Sequence, residues 1–185
     1  MYQEHYDDQT CRYHGFTLIE LLVAIAVFGI LLVVAVPAFR GMILGNRLMT
    51  LTHETARAIN LTRSEAIKRG LRVSMCPSAN GTSCAADGRW EQGWIQFADP
   101  NGNGNFDAGD TLLLVREAYG GQTTVRTGAR FNQFLSYLPN GQSQGTGGSN
   151  DTFRLCNERG TTLGFSIMIN NVGRVRVDRG AASCP

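Results

Sequence analysis

From Leu21 to Phe39 the chain is apolar almost without a break, and one carboxylate, Glu20, stands at the mouth of the run. Its 19 residues, at about 1.5 Å rise each, give roughly 28 Å of helix, close to the ~30 Å hydrocarbon core of a bilayer. Beyond it the pattern changes. Leu48, Leu51, Thr55, Ile59, Thr62 and Ala66 recur at intervals of three and four, with Arg47, Arg57, Arg63, Lys68 and Arg69 largely off that stripe. This is the period of an amphipathic helix with one buried face, which Gly70 would stop. Pro37 and Gly41 are the positions at which the rod would kink or loosen. After Gly70 the period shortens, and strands are predicted over 71–76, 93–98, 111–117, 123–127, 133–138, 153–157, 163–169 and 173–178. The stretch PNGQSQGTGGSNDT, residues 139–152, reads as a mobile loop. A long helix followed by many strands is an α+β arrangement, with the sheets wrapped on the helix's apolar stripe.

With 185 residues the chain has room for an anchor and one globular domain with its own core. Net charge is +2, but it is unevenly placed: six bases and two acids over residues 40–70, three and six over 71–120, seven and three over 121–185. The C-terminal strands are the basic end, and nearly all the bases are arginine, which suits planar or phosphate partners. A secretory signal places a basic start before its apolar stretch and a small-residue cleavage site after it. Here a polar leader ends in Gly15 and the apolar stretch follows with no such site behind it. Of the five cysteines, Cys11 lies in the leader, leaving four on the globular side. An even set points to disulfides and an oxidising compartment. Three pairings are open; the one expected is Cys76 with Cys84, closing a short loop, and Cys156 with Cys184, tying down the C-terminus. The alternative is free buried cysteines.

The run GFTLIELLVAIAVFGIL resembles the type III signal of type IV pilins and pseudopilins, with Gly15 before the cut, Phe16 as the new N-terminus, Glu20 after Thr-Leu-Ile, and Pro37 later in the helix. The resemblance implies cleavage after Gly15 by a prepilin peptidase, methylation of the Phe16 amine and polymerisation of the helix with other major and minor pilins. Residues 1–15 are then the leader, 16–39 the transmembrane and polymerisation helix, 40–70 the amphipathic half and 71–185 the β-rich globular domain. The leader departs from the family in lacking lysines, with only Arg12 and His14 near the cut. A lone carboxylate in apolar surroundings is costly unless paired, which makes Glu20 a functional candidate. Its partner by family analogy is the Phe16 ammonium of a neighbouring subunit. The implied location is the inner membrane, single-pass with a periplasmic globular domain, and then an extracellular pilus.

Together, CPSANGTSC, GWIQFADPNGNGNFDAGDTLL, the late Cys156, and NNVGRVRV followed by Cys184 look like the FimT/GspH family of minor pilins and pseudopilins. The likeness is closer to the FimT side, whose members are implicated in DNA uptake during natural transformation and carry a Gly-Arg-x-Arg motif near the C-terminus, matched here by Gly173, Arg174, Val175 and Arg176. In a strand, Arg174 and Arg176 fall on one face and Val175 and Val177 on the other. Two cations about 7 Å apart resemble the phosphate spacing along one DNA strand. Arg179 is read as extending the patch, partly offset by Asp178. Such backbone contacts carry no sequence information. Three arginines on phosphates would give log affinity against log salt a slope of about −2.7. Two readings stay open: a minor type IV pilin that binds double-stranded DNA non-specifically for uptake, or a structural minor pilin or type II secretion pseudopilin that primes assembly without DNA.

A second constellation, Asp99, Asn101, Asn103, Asn105, Asp107 and Asp110, falls at the ligand positions of an EF-hand-like calcium loop with Gly104 at its turn, Asp110 replacing the usual bidentate glutamate. Its flanks read as strands, so a polar hairpin connection is the favoured alternative, and no other cofactor is expected. Enzymatic classes find little support. His5 and His14 fall in the leader, leaving His53 alone, and no Walker loop or zinc-type spacing occurs. Trp90, Trp94, Phe97, Phe106 and Tyr137 are read as core rather than as base-stacking residues.

Overall fold

The computed structural model of the chain describes residues 15–157, 164–180 and 184. The leader, apart from Gly15, lies outside the described residues. Residues up to Met42 and from Ile43 onward form two compact units. In the first, the large apolar side chains are exposed, from Phe16 just ahead of a helix that begins at Leu18 to Met42 within it. That helix, α1 (Leu18–Arg69), is long and apolar enough near its N-terminus to cross a membrane. Thr17 caps its start, its Oγ1 accepting the Glu20 amide N–H at 3.3 Å. Thr17 and Glu20 thus stand at the two ends of a capping-box spacing that went unread in the sequence.

In the second unit, α1 buries the predicted stripe, Leu48, Leu51, Thr55, Ile59, Thr62 and Ala66, with Thr52, Ala56 and Ala58 beside it. Three threonines sit in this apolar seam without a polar penalty because each hydroxyl donates back to the preceding turn: Thr52 to Leu48 O (2.7 Å), Thr55 to Leu51 O (2.8 Å) and Thr62 to Ala58 O (2.9 Å). Gly70, at φ +66°, ends the helix and donates its N–H to Ala66 O at 3.0 Å. That left-handed cap is why a glycine stands there.

The strands are β1 (Val73–Pro77), β2 (Trp94–Ala98), β3 (Thr111–Arg116), β4 (Thr124–Arg126), β5 (Leu135–Tyr137), β6 (Ser143–Gln144), β7 (Asp151–Cys156), β8 (Phe165–Ile169) and β9 (Val175–Arg179). They form two antiparallel sheets, β3-β2-β1-β5-β6 and β4-β7-β8-β9. Between them and the helix lies one core containing Ile59, Met75, Trp90, Tyr137, Phe153 and Ile167. Trp90 meets Phe153 edge-on at 4.9 Å and donates its indole N–H to Phe131 O at 3.1 Å, so its polar end is satisfied as its ring is buried. Each large apolar side chain removed from water in this way stabilises the fold by about 1.5–3 kcal/mol. Phe97 and Phe106 pack in a second cluster beside the Cys76–Cys84 disulfide. A second disulfide joins Cys156 to Cys184.

One expectation is corrected. Residues 139–152 are not a loose loop: they contain β6 and a bridge between Gly145 and Gly148. A side chain at Gly145 would stand 2.1 Å from the Arg130 carbonyl oxygen. The small residues that suggested mobility are what let two backbones lie this close.

Candidate functional site

The basic C-terminal strand is held by the turn that precedes it. The Gly173 N–H donates to Asn170 O at 2.8 Å, and the Arg174 N–H donates to the Asn170 side-chain oxygen at 2.8 Å. Gly173 has φ +75°, and a Cβ there would lie 2.2 Å from Gly141 O and 2.7 Å from the Tyr137 ring. The motif glycine is therefore demanded twice, by conformation and by space. Three side chains fix the turn from outside: the Tyr137 hydroxyl donates to Gly173 O (3.2 Å), Arg63 Nη2 to Val172 O (3.0 Å) and Ser143 Oγ to Asn170 O (2.9 Å). Burial pushes the Tyr137 hydroxyl pKa up, against a smaller opposing effect of Arg63. The neutral donor is thus the form the fold selects. Asn170, Tyr137 and Arg63 were not singled out as supports of the motif, although Asn-x-x-Gly is a turn signature in its own right.

From this turn β9 runs along the edge of the four-stranded sheet. Val175 and Val177 pack against the core, whereas Arg174 and Arg176 are exposed. The two arginines border a groove of about 510 Å³ with Asn150, Thr152, Met168 and Asn170. Asp151 also borders it, but its carboxylate is occupied on the far side, accepting the backbone N–H groups of Gly128, Arg130 and Phe131 at 3.0 Å and of Thr152 at 2.8 Å. Asp178 takes the Nε of Arg176 at 2.9 Å. Arg179 does not extend the row. It pairs with Phe165 in the ladder and has the parity of Val175 and Val177, so strand alternation puts it off the face of Arg174 and Arg176.

The calcium-like loop, residues 99–110, is organised around its own hydrogen bonds. Asp99 is fully buried, with Oδ1 accepting the Gly102 N–H (2.7 Å) and Oδ2 accepting the Gly104 N–H (3.0 Å) and the Ser74 hydroxyl (2.6 Å). Asp107 Oδ2 accepts the amide Nδ2 groups of Asn103 (2.9 Å) and Asn101 (3.0 Å), which with the Gly109 N–H hold its pKa below the usual value. Asp110 accepts the Asp107 N–H at 3.0 Å; burial, more than the neighbouring Asp107 and Asp99 charges, raises its pKa. The fit to calcium is poor, because Asn101 and Asn103 turn nitrogen donors toward Asp107 and both Asp99 oxygens already have partners. Among the described residues no three His, Cys, Asp or Glu side chains gather to hold a metal.

At the N-terminus Gly15, Phe16 and Glu20 are all exposed, and Pro37 lies within α1. The family described as Type II transport protein GspH matches residues 51–173, and the prokaryotic N-terminal methylation motif matches residues 11–36. No curated protein matches the sequence. Two crystal structures of the type IV minor pilin FimU of Pseudomonas aeruginosa share the fold. One aligns with TM-score 0.60 at 20% identity over 76% of this chain and 96% of that one. The other, in a second crystal form, aligns with TM-score 0.54 at 19% identity over 75% and 100%. The minor pseudopilin EpsH of Vibrio cholerae aligns with TM-score 0.48 at 10% identity over 72% and 97%. With the family matched over most of the chain, the methylation motif over its start and the long helix packed on antiparallel sheets, the chain belongs to the GspH family and is a type IV minor pilin or pseudopilin.

Proposed function

We propose that this minor pilin binds extracellular double-stranded DNA without sequence preference, for uptake in natural transformation. The observation that supports it is the pair Arg174 and Arg176: both exposed, two residues apart on one face of an edge strand, and held there by a clamped turn. Guanidinium groups so placed suit phosphate oxygens, and polar side chains at Asn150, Thr152 and Asn170 border the same groove. In this reading the subunit waits in the inner membrane with its globular domain in the periplasm. Prepilin peptidase cuts after Gly15, the Phe16 amine is methylated, and Glu20 pairs with the Phe16 ammonium of a neighbouring subunit as the helix enters the filament. The extracellular pilus then carries the basic face to DNA.

The test is a gel shift with random duplex at two salt concentrations. Replacing Arg174 and Arg176 by glutamine should weaken binding and make the salt slope shallower by about 1.8, two phosphate contacts at about 0.9 each. Unchanged binding in that double variant rejects the assignment. A structural role in priming assembly is the second reading, favoured by the Arg176–Asp178 pair, since charged side chains on an edge strand also deter unwanted strand pairing. It predicts no shift even at low salt.

A further inference from the structure

We propose that Arg154 is a third phosphate contact, reaching the opposite strand of the duplex across a groove, so that this face selects double-stranded over single-stranded DNA. The inference rests on the DNA-binding reading above. The sheet register carries it. Arg176 stands opposite Met168, and Met168 opposite Thr152; in the next row Asp178 stands opposite Ser166, Ser166 opposite Arg154, and Arg154 opposite Arg126. Residues facing one another across a ladder, and those two apart along a strand, share a face. Arg126, Arg154, Arg174 and Arg176 therefore lie on one side of the sheet, the side Arg179 leaves. Arg126 is engaged by Glu91 in a part-buried ion pair. The side chain of Arg154, half-buried, forms no hydrogen bond or ion pair with any described residue, so its charge has no partner within the described fold.

The spacing gives the specificity. Arg174, just before β9, and Arg176 on it lie about 7 Å apart in extended chain, whereas Arg154 lies two strands over and two residues along, about 12 Å from Arg176 by strand geometry. Cations in line serve one backbone. A cation set about 10 Å to the side, and about 12 Å from Arg176 on the diagonal, comes close to the ~12 Å width of the major groove and so meets the second backbone, which a single strand lacks.

The experiment uses the full chain in detergent, a random duplex and the corresponding single strand, each titrated with salt. Wild type should show a slope near −2.7 on duplex and, with only two contacts available, near −1.4 on the single strand. Arg154→Gln should move the duplex slope to about −1.8 and leave the single strand unchanged. Arg179→Gln should change neither, and Arg154→Lys, which keeps the charge, should retain the wild-type slopes and serves as the folded control. A duplex slope unaffected by Arg154→Gln, or an equal loss on both substrates, overturns the proposal while leaving the DNA-binding reading standing. A wild type that binds neither nucleic acid overturns both.

Discussion

Two charged turns of this domain are built on opposite plans. The β2–β3 connection, residues 99–110, is rich in acids, and Asp99, Asp107 and Asp110 all accept hydrogen bonds from within the loop. The β8–β9 turn, residues 170–174, uses only backbone, Asn170, Tyr137, Arg63 and Ser143 for its closure, and the guanidiniums that follow it make no bond back to it. Charge built into a turn's own wiring shapes the protein. Charge hung beyond a turn that closes without it is available to something else. What separates the two is whether the charged groups close the turn itself: Arg176 is paired only with Asp178 on its own strand.

The contrast is sharpest where the basic turn depends on geometry alone. Gly173→Ala places a left-handed alanine against the Gly141 carbonyl, and the expected cost is about 3 kcal/mol, read as a melting temperature lower by roughly 10 °C. An unshifted melt would mean the clamp is not what holds β9. In the acidic loop a carboxylate is the keystone, so Asp99→Ala should cost about 2–3 kcal/mol by leaving the buried Gly104 N–H and the part-buried Gly102 N–H unpaired and reducing the Ser74 hydroxyl to its bond with Ser136. If the loss were trivial, the two turns would not differ as described.

A smaller effect falls on Tyr137. Its change to phenylalanine removes the bond to Gly173 O and should cost about 1 kcal/mol. It should also alter the alkaline limb of the stability curve. The folded-state pKa lies above the ordinary value of 10.0, so this tyrosine's contribution is complete below about pH 10 and declines as pH rises through the folded value. Denaturant melts from pH 8 to 11 should show a shallower decline in the variant, and parallel curves would count against it. Removing the exposed motif cations should do least to the fold. The Arg174→Gln, Arg176→Gln double variant should unfold within about 0.5 kcal/mol of wild type while binding DNA more weakly. Smallest of all, calorimetric titration of the domain with millimolar calcium should give no heat, and a saturable signal would show that the acidic loop rearranges around a cation.

Much of this architecture was legible in the chain. The stripe from Leu48 to Ala66 and the glycine stop at position 70 depend on neighbours three and four residues away, and eight of the strands follow from local runs bounded by turn residues. What escaped depends on distant partners. The order of residues 143–148 comes from packing on Arg130 and Phe131, which no local pattern announces. Gly173, Arg174 and Arg176 were visible as a motif, and the wrong face for Arg179 could have been seen from its odd spacing. Arg154 could not, because only the pairing of β7 with β8 and of β8 with β9 brings it round to them.

The strand that bears Arg174 and Arg176 is an edge strand, the element of a sheet that unzips most easily when pulled from an end. Here neither end is free. At the start of β9, Arg63 and Tyr137 hold the turn to α1 and β5; past its far end, Cys184 is bonded to Cys156 on β7, with β8 lying between. Peeling must break a cluster of hydrogen bonds at one end or a covalent bond at the other. If the arginines hold DNA as proposed, a pull on them would meet a β8–β9 ladder tied at both ends, a sturdier attachment than an edge strand with a loose end.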